Sequence, residues 1–353
     1  MLKENIKKLL FDGTVIPAHP LALTQRLQLD EQKQRGLTRY YMASGAGGVA
    51  VGVHTTQFEI REPGVNLFEK VLAIAAEEVD QAALKRPFIK VAGICGLTEQ
   101  ALKEAEIAVK HGYDLGLVSM AAFKTQDEHE IIAHVRKVAE VIPVFGFYLQ
   151  AAIGGRVYSY DFWQQFAAIP NVYAIKVAAF NRYQTLDVVR AVAHSDRCDE
   201  IALYTGNDDN IVADLLTPYC FEIDGRTVEK RFVGGLLGHW AVWTEKAVAL
   251  LAAVKHTLAT GYADAASMLS TNIAVTDMNA AIFDPAHAFH GCITGVHEVL
   301  RRQGLLDGIW TLNPDETLSP GQSEEITRVI AAYPHLVDDA FVARFLENEV
   351  SVH

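Results

Sequence analysis

The sequence predicts an α/β fold, a (β/α)8 TIM barrel carrying a C-terminal helical extension. Three observations predict it. Short apolar runs alternate along the chain with longer segments of helical period. The runs are apolar on both faces, as parallel strands buried on each side must be. There are eight of them, which suits a closed barrel better than an open doubly wound sheet. No glycine-rich dinucleotide fingerprint follows the first run, which weakens the doubly wound alternative further.

The strand candidates are TVIPA (14–18), GGVAVGV (47–53), FIKVAGI (88–94), LGLVSM (115–120), IPVFGFYL (142–149), VYAIKVAAF (172–180), EIALYT (200–205) and FVGGLLG (232–238). Helical period occupies 30–43, 65–84, 97–111, 127–140 and 184–194, with Asp30 in the N-cap position of the first. Asp224-Gly225, flanked by β-formers, predicts a hairpin insertion at 219–231. Residues 240–350 are mainly helical and exceed one barrel repeat. The expected division is therefore a barrel catalytic domain over 1–250 and a helical extension over 251–353.

Bulk properties narrow the function. Half of the 353 residues are hydrophobic and the net charge is −12. An acidic chain without clustered Lys and Arg argues against nucleic acid and anionic membranes as partners. Cys95, Cys198, Cys220 and Cys292 are far apart and form no CxxC pair, so reduced thiols are expected rather than a disulfide framework or zinc site. No signal-peptide core and no apolar run of about 18 residues is present, and a cytoplasmic location is expected.

Lys176 is the strongest chemical signal. It lies inside the apolar run VYAIKVAAF. An unpaired buried ammonium is costly, so such a lysine tends toward the neutral amine that a Schiff-base nucleophile requires. The competing reading is a lysine that reaches solvent or pairs with a carboxylate. Lys90, in FIKVAGI, shares the burial but sits near the start of its strand, whereas this fold keeps its active site at the strands' C-terminal ends. Tyr148 ends the fifth run, where a phenol can relay protons or simply anchor the rim. His54-Thr55-Thr56 follows the second run, where hydroxyls and backbone N–H groups can hold a carboxylate, or form a plain ST-turn. His287 and His290 read as structural, and there is no HExxH motif or Cys/His cluster.

Taken together, these segments resemble the dihydrodipicolinate synthase/N-acetylneuraminate lyase family. The stretch from DGTVIPAHP to GVHTTQFE is similar to the family's opening strands and its Gly-Thr-Thr-Gly-Glu turn. PVFGFYL resembles the strand that ends in the catalytic tyrosine, and NVYAIKVAAF the strand that carries the Schiff-base lysine. Tyr148 and Lys176 are 28 residues apart, matching the family pattern. ALYTGNDD and LSPGQSEEI resemble later family segments. The resemblance implies that Lys176 forms an imine with a 2-oxo acid, Tyr148 relays protons, Thr55 and Thr56 bind the carboxylate, and Gly206 lies near the substrate. It implies no metal or organic cofactor, and a homo-oligomer, tetramer or dimer. The turn here reads His54-Thr55-Thr56-Gln57-Phe58. Ala122 stands near the synthase's second tyrosine and Ile153 near its substrate arginine, with Arg156 three residues later. These departures argue against dihydrodipicolinate synthase itself and call for His54, water or another group in the relay. The expected activity is an aldol-type lyase with a pyruvate-like donor. The alternatives are a dehydratase of a keto-deoxy sugar acid using the same imine, and a barrel that has lost its chemistry and serves in binding.

Overall fold

A computed structural model describes residues 2–351. Eight strands form one parallel sheet: β1 (Val15–Pro17), β2 (Gly48–Val51), β3 (Ile89–Ile94), β4 (Leu115–Val118), β5 (Val144–Leu149), β6 (Val172–Ala178), β7 (Ala202–Thr205) and, after a hairpin, β10 (Phe232–Leu237). Strand β1 pairs with β10, and a parallel bridge between Ala18 and Ala50 joins the sheet's two ends. The result is a (β/α)8 TIM barrel. The hairpin strands β8 (Tyr219–Ile223) and β9 (Arg226–Lys230) pair antiparallel. Their turn, Asp224-Gly225, has φ of 49° and 73°, the doubly left-handed turn that matches strand twist.

Helices α1 (Glu4–Asp12), α2 (Glu31–Ala43), α3 (Phe68–Gln81), α4 (Thr98–Lys110), α5 (Glu128–Val141), α6 (Tyr160–Ala167), α7 (Arg182–Ala193), α8 (Ile211–Leu216) and α9 (Thr244–Ala259) accompany the barrel. The Asp30 carboxylate accepts the Lys33 amide and starts α2; Asn181 caps α7 in the same way. The C-terminal extension comprises α10 (Ala265–Phe283), α11 (Cys292–Arg302), α12 (Gln322–Ala332) and α13 (Asp339–Ser351).

Alternation along each strand sorts side chains into two apolar layers. Val144, Tyr148, Ile175 and Val177 belong to the layer between sheet and helices. Phe145, Phe147, Leu149, Ala174 and Ala178 belong to the barrel interior. Helix α1 closes the N-terminal end: Ile6 and Leu10 join the interior layer, and the Tyr204 hydroxyl donates to the Leu10 carbonyl at 2.8 Å. The opposite end is left for a pocket. Among the described residues, no helix is long and apolar enough to cross a membrane.

One irregularity in the sheet bears on the site. Val144 pairs with Val172, but the next residue, Phe145, pairs with Ala174. Tyr173 is thus an extra residue in β6, and every later partner is shifted by one.

Candidate active site

At the C-terminal ends of the strands lies a cavity. Lys176 lines it, projecting from β6 between Ala174 and Ala178, and is only 9% exposed. Its Nζ sits 4.6 Å from the centroid of the Phe147 ring. Burial lowers its pKa, opposed by the charge of Asp208. Burial likewise raises the pKa of Asp208, opposed by the charge of Lys176. Burial thereby pushes both groups toward their neutral forms.

Asp208 follows β7 and is held at several points. One carboxylate oxygen accepts the His239 amide at 3.1 Å, and the backbone carbonyl accepts from Asn279 on α10. The neighbouring Asn207 donates to Asp214 at 2.9 Å, and Thr205 donates to the same carboxylate at 2.7 Å. Arg182 pairs with Asp214 from α7. The loop that carries Asp208 is thus braced by both barrel and extension.

Gly206 sits beside the lysine. A Cβ placed there would lie 2.5 Å from Lys176 Cε and 2.9 Å from Ala178 Cβ. Only glycine leaves the lysine stem its room. The loop after β2 contributes His54 and Thr55 to the cavity wall. Burial and the charge of Lys176 bring His54 down to about 4, so its imidazole is neutral at pH 7. The Thr55 hydroxyl makes only a long 3.3 Å bond to the His19 carbonyl.

Two expected members do not join this group. Tyr148 points out of the barrel. It is 1% exposed and packs against Trp163 and Tyr158, with ring centroids at 5.0 and 5.8 Å. The physical reason is the extra residue in β6. A 28-residue offset would set Tyr148 opposite Lys176, but past Tyr173 the offset is 29, and Phe147 pairs with Lys176 instead. Thr56 is also turned away. Its hydroxyl donates to the His19 carbonyl at 2.7 Å and accepts the Gly52 and Val53 amides at 3.0 and 3.2 Å, which fixes the end of β2.

Other expected residues behave as placed. Lys90 lies at the opposite end of the barrel and pairs with Asp80 at 2.8 Å. Ile153 lines the cavity, whereas Arg156 donates to the Gln126 carbonyl at 2.8 Å. Ala122 is exposed. Residues that sequence reasoning missed include Asp208, Gln150, Phe147 and Cys292, and the aromatic lining of Phe180, Phe283 and Phe289. Asp208 stood in plain view in the TGNDD stretch, and its position directly after a strand was the available signal. Among the described residues, no group of three or more His, Cys, Asp or Glu could hold a metal ion.

Comparison with known proteins agrees with the fold. No family model matches the chain. N-acetylneuraminate lyase of Citrobacter koseri is 27% identical over 205 residues, which are 57% of this chain and 65% of that protein. The chain thus spans just under two thirds of the length of that curated relative. CdNal of Clostridium difficile, crystallised with mannosamine, superposes with a TM-score of 0.71 at 14% identity, covering 91% of this chain and 99% of that one. Dihydrodipicolinate synthase of Oceanobacillus iheyensis gives 0.71 at 17% identity, with 93% and 98% covered. N-acetylneuraminate lyase of Fusobacterium nucleatum complexed with pyruvate gives 0.69 at 15%, with 93% and 99% covered. The curated match is thus a partial sequence similarity to an N-acetylneuraminate lyase, and the solved neighbours share the barrel fold with this chain.

Proposed function

We propose that this divergent barrel is a Schiff-base-forming lyase acting on a 2-oxo acid, with Lys176 as the nucleophile. One observation carries the reading: a buried lysine at the cavity end of β6 rests on an aromatic ring rather than on an ion-pair partner, and its proton affinity is lowered. A lysine desolvated in this way is a nucleophile near neutral pH. The structural neighbour crystallised with pyruvate lends the donor its chemical class.

The neutral amine attacks the ketone carbon of the 2-oxo acid, and loss of water leaves a protonated imine. The imine draws electrons from the C3 bond, so C3 can lose a proton as the enamine or release an aldehyde by C3–C4 cleavage. Thr55 offers its hydroxyl to the carboxylate. Asp208 carries the proton, since a carboxyl whose pKa is raised by burial can both give and take one near neutrality. Neutral His54 serves as a hydrogen-bonding partner in the same wall.

The test is chemical trapping. Incubation with pyruvate and borohydride is expected to leave a pyruvate-sized adduct on Lys176, located by peptide mass spectrometry. Lys176→Ala is expected to abolish it while the protein stays folded. An adduct on Lys90, or none with pyruvate or longer 2-oxo acids, overturns the proposal. Product identification then separates carbon–carbon cleavage from dehydration.

A further inference from the structure

The polar groups of the cavity are few. Beyond Lys176, Thr55, Asp208 and His54, which the proposed chemistry employs, the lining offers polar side-chain atoms at Gln150 and Cys292. The remaining wall is apolar, and much of it aromatic: Phe147, Leu149, Ile153, Phe180, Phe283 and Phe289. A polyhydroxylated chain bound against such a wall leaves hydroxyls without partners, and each one lost from water to an apolar surface is costly.

Two of these rings are held in place deliberately. Phe180 and Phe289 both have left-handed backbones, with φ of 50° and 65°, a conformation that side-chain-bearing residues adopt at a cost. The Phe180 amide is fixed by the Asn207 side chain at 2.9 Å, and the Phe289 amide by the Asp284 carbonyl at 3.0 Å. The Asp284 carboxylate in turn accepts from Ser319 at 2.5 Å and from the Gly291 amide at 3.3 Å. The rings meet edge to face with centroids 5.9 Å apart, one from the barrel and one from the extension. Phe283 closes over Gly238, where a Cβ would lie 3.0 Å from its ring. Next to this wall, and sharing His54, Ile153 and Phe289 with it, a recess carries Glu59, Asp315 and Glu316. The acidic side chains there disfavour a second carboxylate, although burial and the charge of Glu59 raise the pKa of Glu316 to about 7.

We propose, building on the Schiff-base reading, that the aldehyde half of the substrate is uncharged and aryl-bearing, and that Phe180, Phe283 and Phe289 form its seat. In the condensing direction, Asp208 takes a C3 proton from the pyruvate imine. The enamine carbon then forms a bond to the aldehyde carbon, and the aldehyde oxygen receives the proton back from Asp208. Water hydrolyses the imine, freeing the Lys176 amine and a 4-aryl-4-hydroxy-2-oxobutanoate. Cleavage runs the same steps backward, and no electrons are gained or lost overall.

The test uses the full chain in two assays. In the first, 2-hydroxy-4-phenylbutanoate, which cannot form an imine, competes with gluconate for binding in calorimetry. The phenyl acid is expected to bind at least about tenfold more tightly, the scale on which apolar pockets discriminate. Phe289→Ala and Phe180→Ser are each expected to erase most of that preference, with folding checked by thermal unfolding. In the second, pyruvate is condensed with benzaldehyde or with glyceraldehyde, and benzaldehyde is expected to give the higher kcat/KM by a similar factor. Equal or reversed preference in the binding assay overturns the substrate class even if pyruvate is trapped on Lys176. A phenyl preference without any lysine adduct upholds the aryl seat and overturns the Schiff-base reading instead.

Discussion

Tyr148→Phe separates what family spacing implies from what the sheet register dictates. The substitution removes one hydroxyl. In this structure that hydroxyl is buried near the Tyr158 backbone amide without a well-formed hydrogen bond, and it faces the helical layer. Deleting a buried hydroxyl that lacks a partner costs little, and relief of its desolvation can stabilise by about 1 kcal/mol. The aromatic contacts with Trp163 and Tyr158 survive, because phenylalanine keeps the ring. Stability is therefore expected to be unchanged or slightly raised in thermal unfolding. The rate of pyruvate trapping is expected to stay within about threefold of the parent, since no general acid is lost. Loss of a true proton relay would instead cost roughly 10²–10⁴ in rate. A drop of about a hundredfold or more in trapping, with the fold intact, would refute the outward placement of Tyr148 and the register argument with it.

Three further outcomes are expected. Gly206→Ala puts a methyl 2.5 Å from Lys176 Cε, so it should displace the lysine, reduce borohydride labelling at least tenfold and lower stability by about 1–3 kcal/mol, an overpacking cost; full labelling would show that the lysine stem is not confined there. Asp208→Asn removes the anion that holds the Lys176 pKa up, so the pH at which imine forms should move downward while turnover falls about 10²-fold or more; an upward move in the pH profile of trapping contradicts this electrostatic influence. His19 is fully buried, bonded to Thr38 at 2.9 Å, and its pKa is lowered from 6.5 to about 4. The folded state therefore binds fewer protons than the unfolded chain in that window, so stability is complete above about pH 6.5 and declines as pH falls toward 4, by about 2 kcal/mol at pH 5 from this residue alone. Urea unfolding midpoints that do not fall between pH 7 and pH 5 would contradict it.

The barrel was legible because its signals are local and repeated. Each strand is an apolar run bounded by turn residues, and Asp30 and the Asp224-Gly225 turn act where the sequence places them. Helix α6 escaped notice because it is only eight residues long, although Phe162, Trp163, Phe166 and Ala167 form a buried stripe at helical spacing. Lys176 was readable for the opposite reason: one charge in an apolar strand stands out whichever way the strand faces. The partners of the lysine were less readable. Counting residues between two strands assumes that both are regular, and Tyr173 breaks that assumption without any mark in the sequence. Thr55 and Thr56 look equivalent in the chain, yet a short 3-10 turn puts Thr55 in the cavity wall and spends the Thr56 hydroxyl on the His19 carbonyl and the Gly52 and Val53 amides.

The extra residue in β6 also explains why the rest of the cavity has the composition it has. Once the register moves by one, the inward position opposite Lys176 belongs to Phe147, and a phenyl ring cannot carry a proton. Proton transfer must then come from another wall, and among the groups sharing the cavity Asp208 is the acid whose pKa is raised toward neutrality. A carboxylic acid stays near neutrality only while its surroundings stay dry, because water would restore the ordinary carboxylate. Phe180, Phe283 and Phe289 supply that dryness, and two of them reach the cavity from the C-terminal extension. In the proposed chemistry the extension therefore belongs to the acid–base apparatus as well as to the aryl seat. Opening it, for instance by Ser319→Ala at the Asp284 turn that holds Phe289, should lower the apparent pKa of Asp208, raise that of Lys176, and shift the pH profile of trapping toward alkaline pH. An unshifted profile in a folded variant would mean that the dryness of the cavity does not depend on this turn.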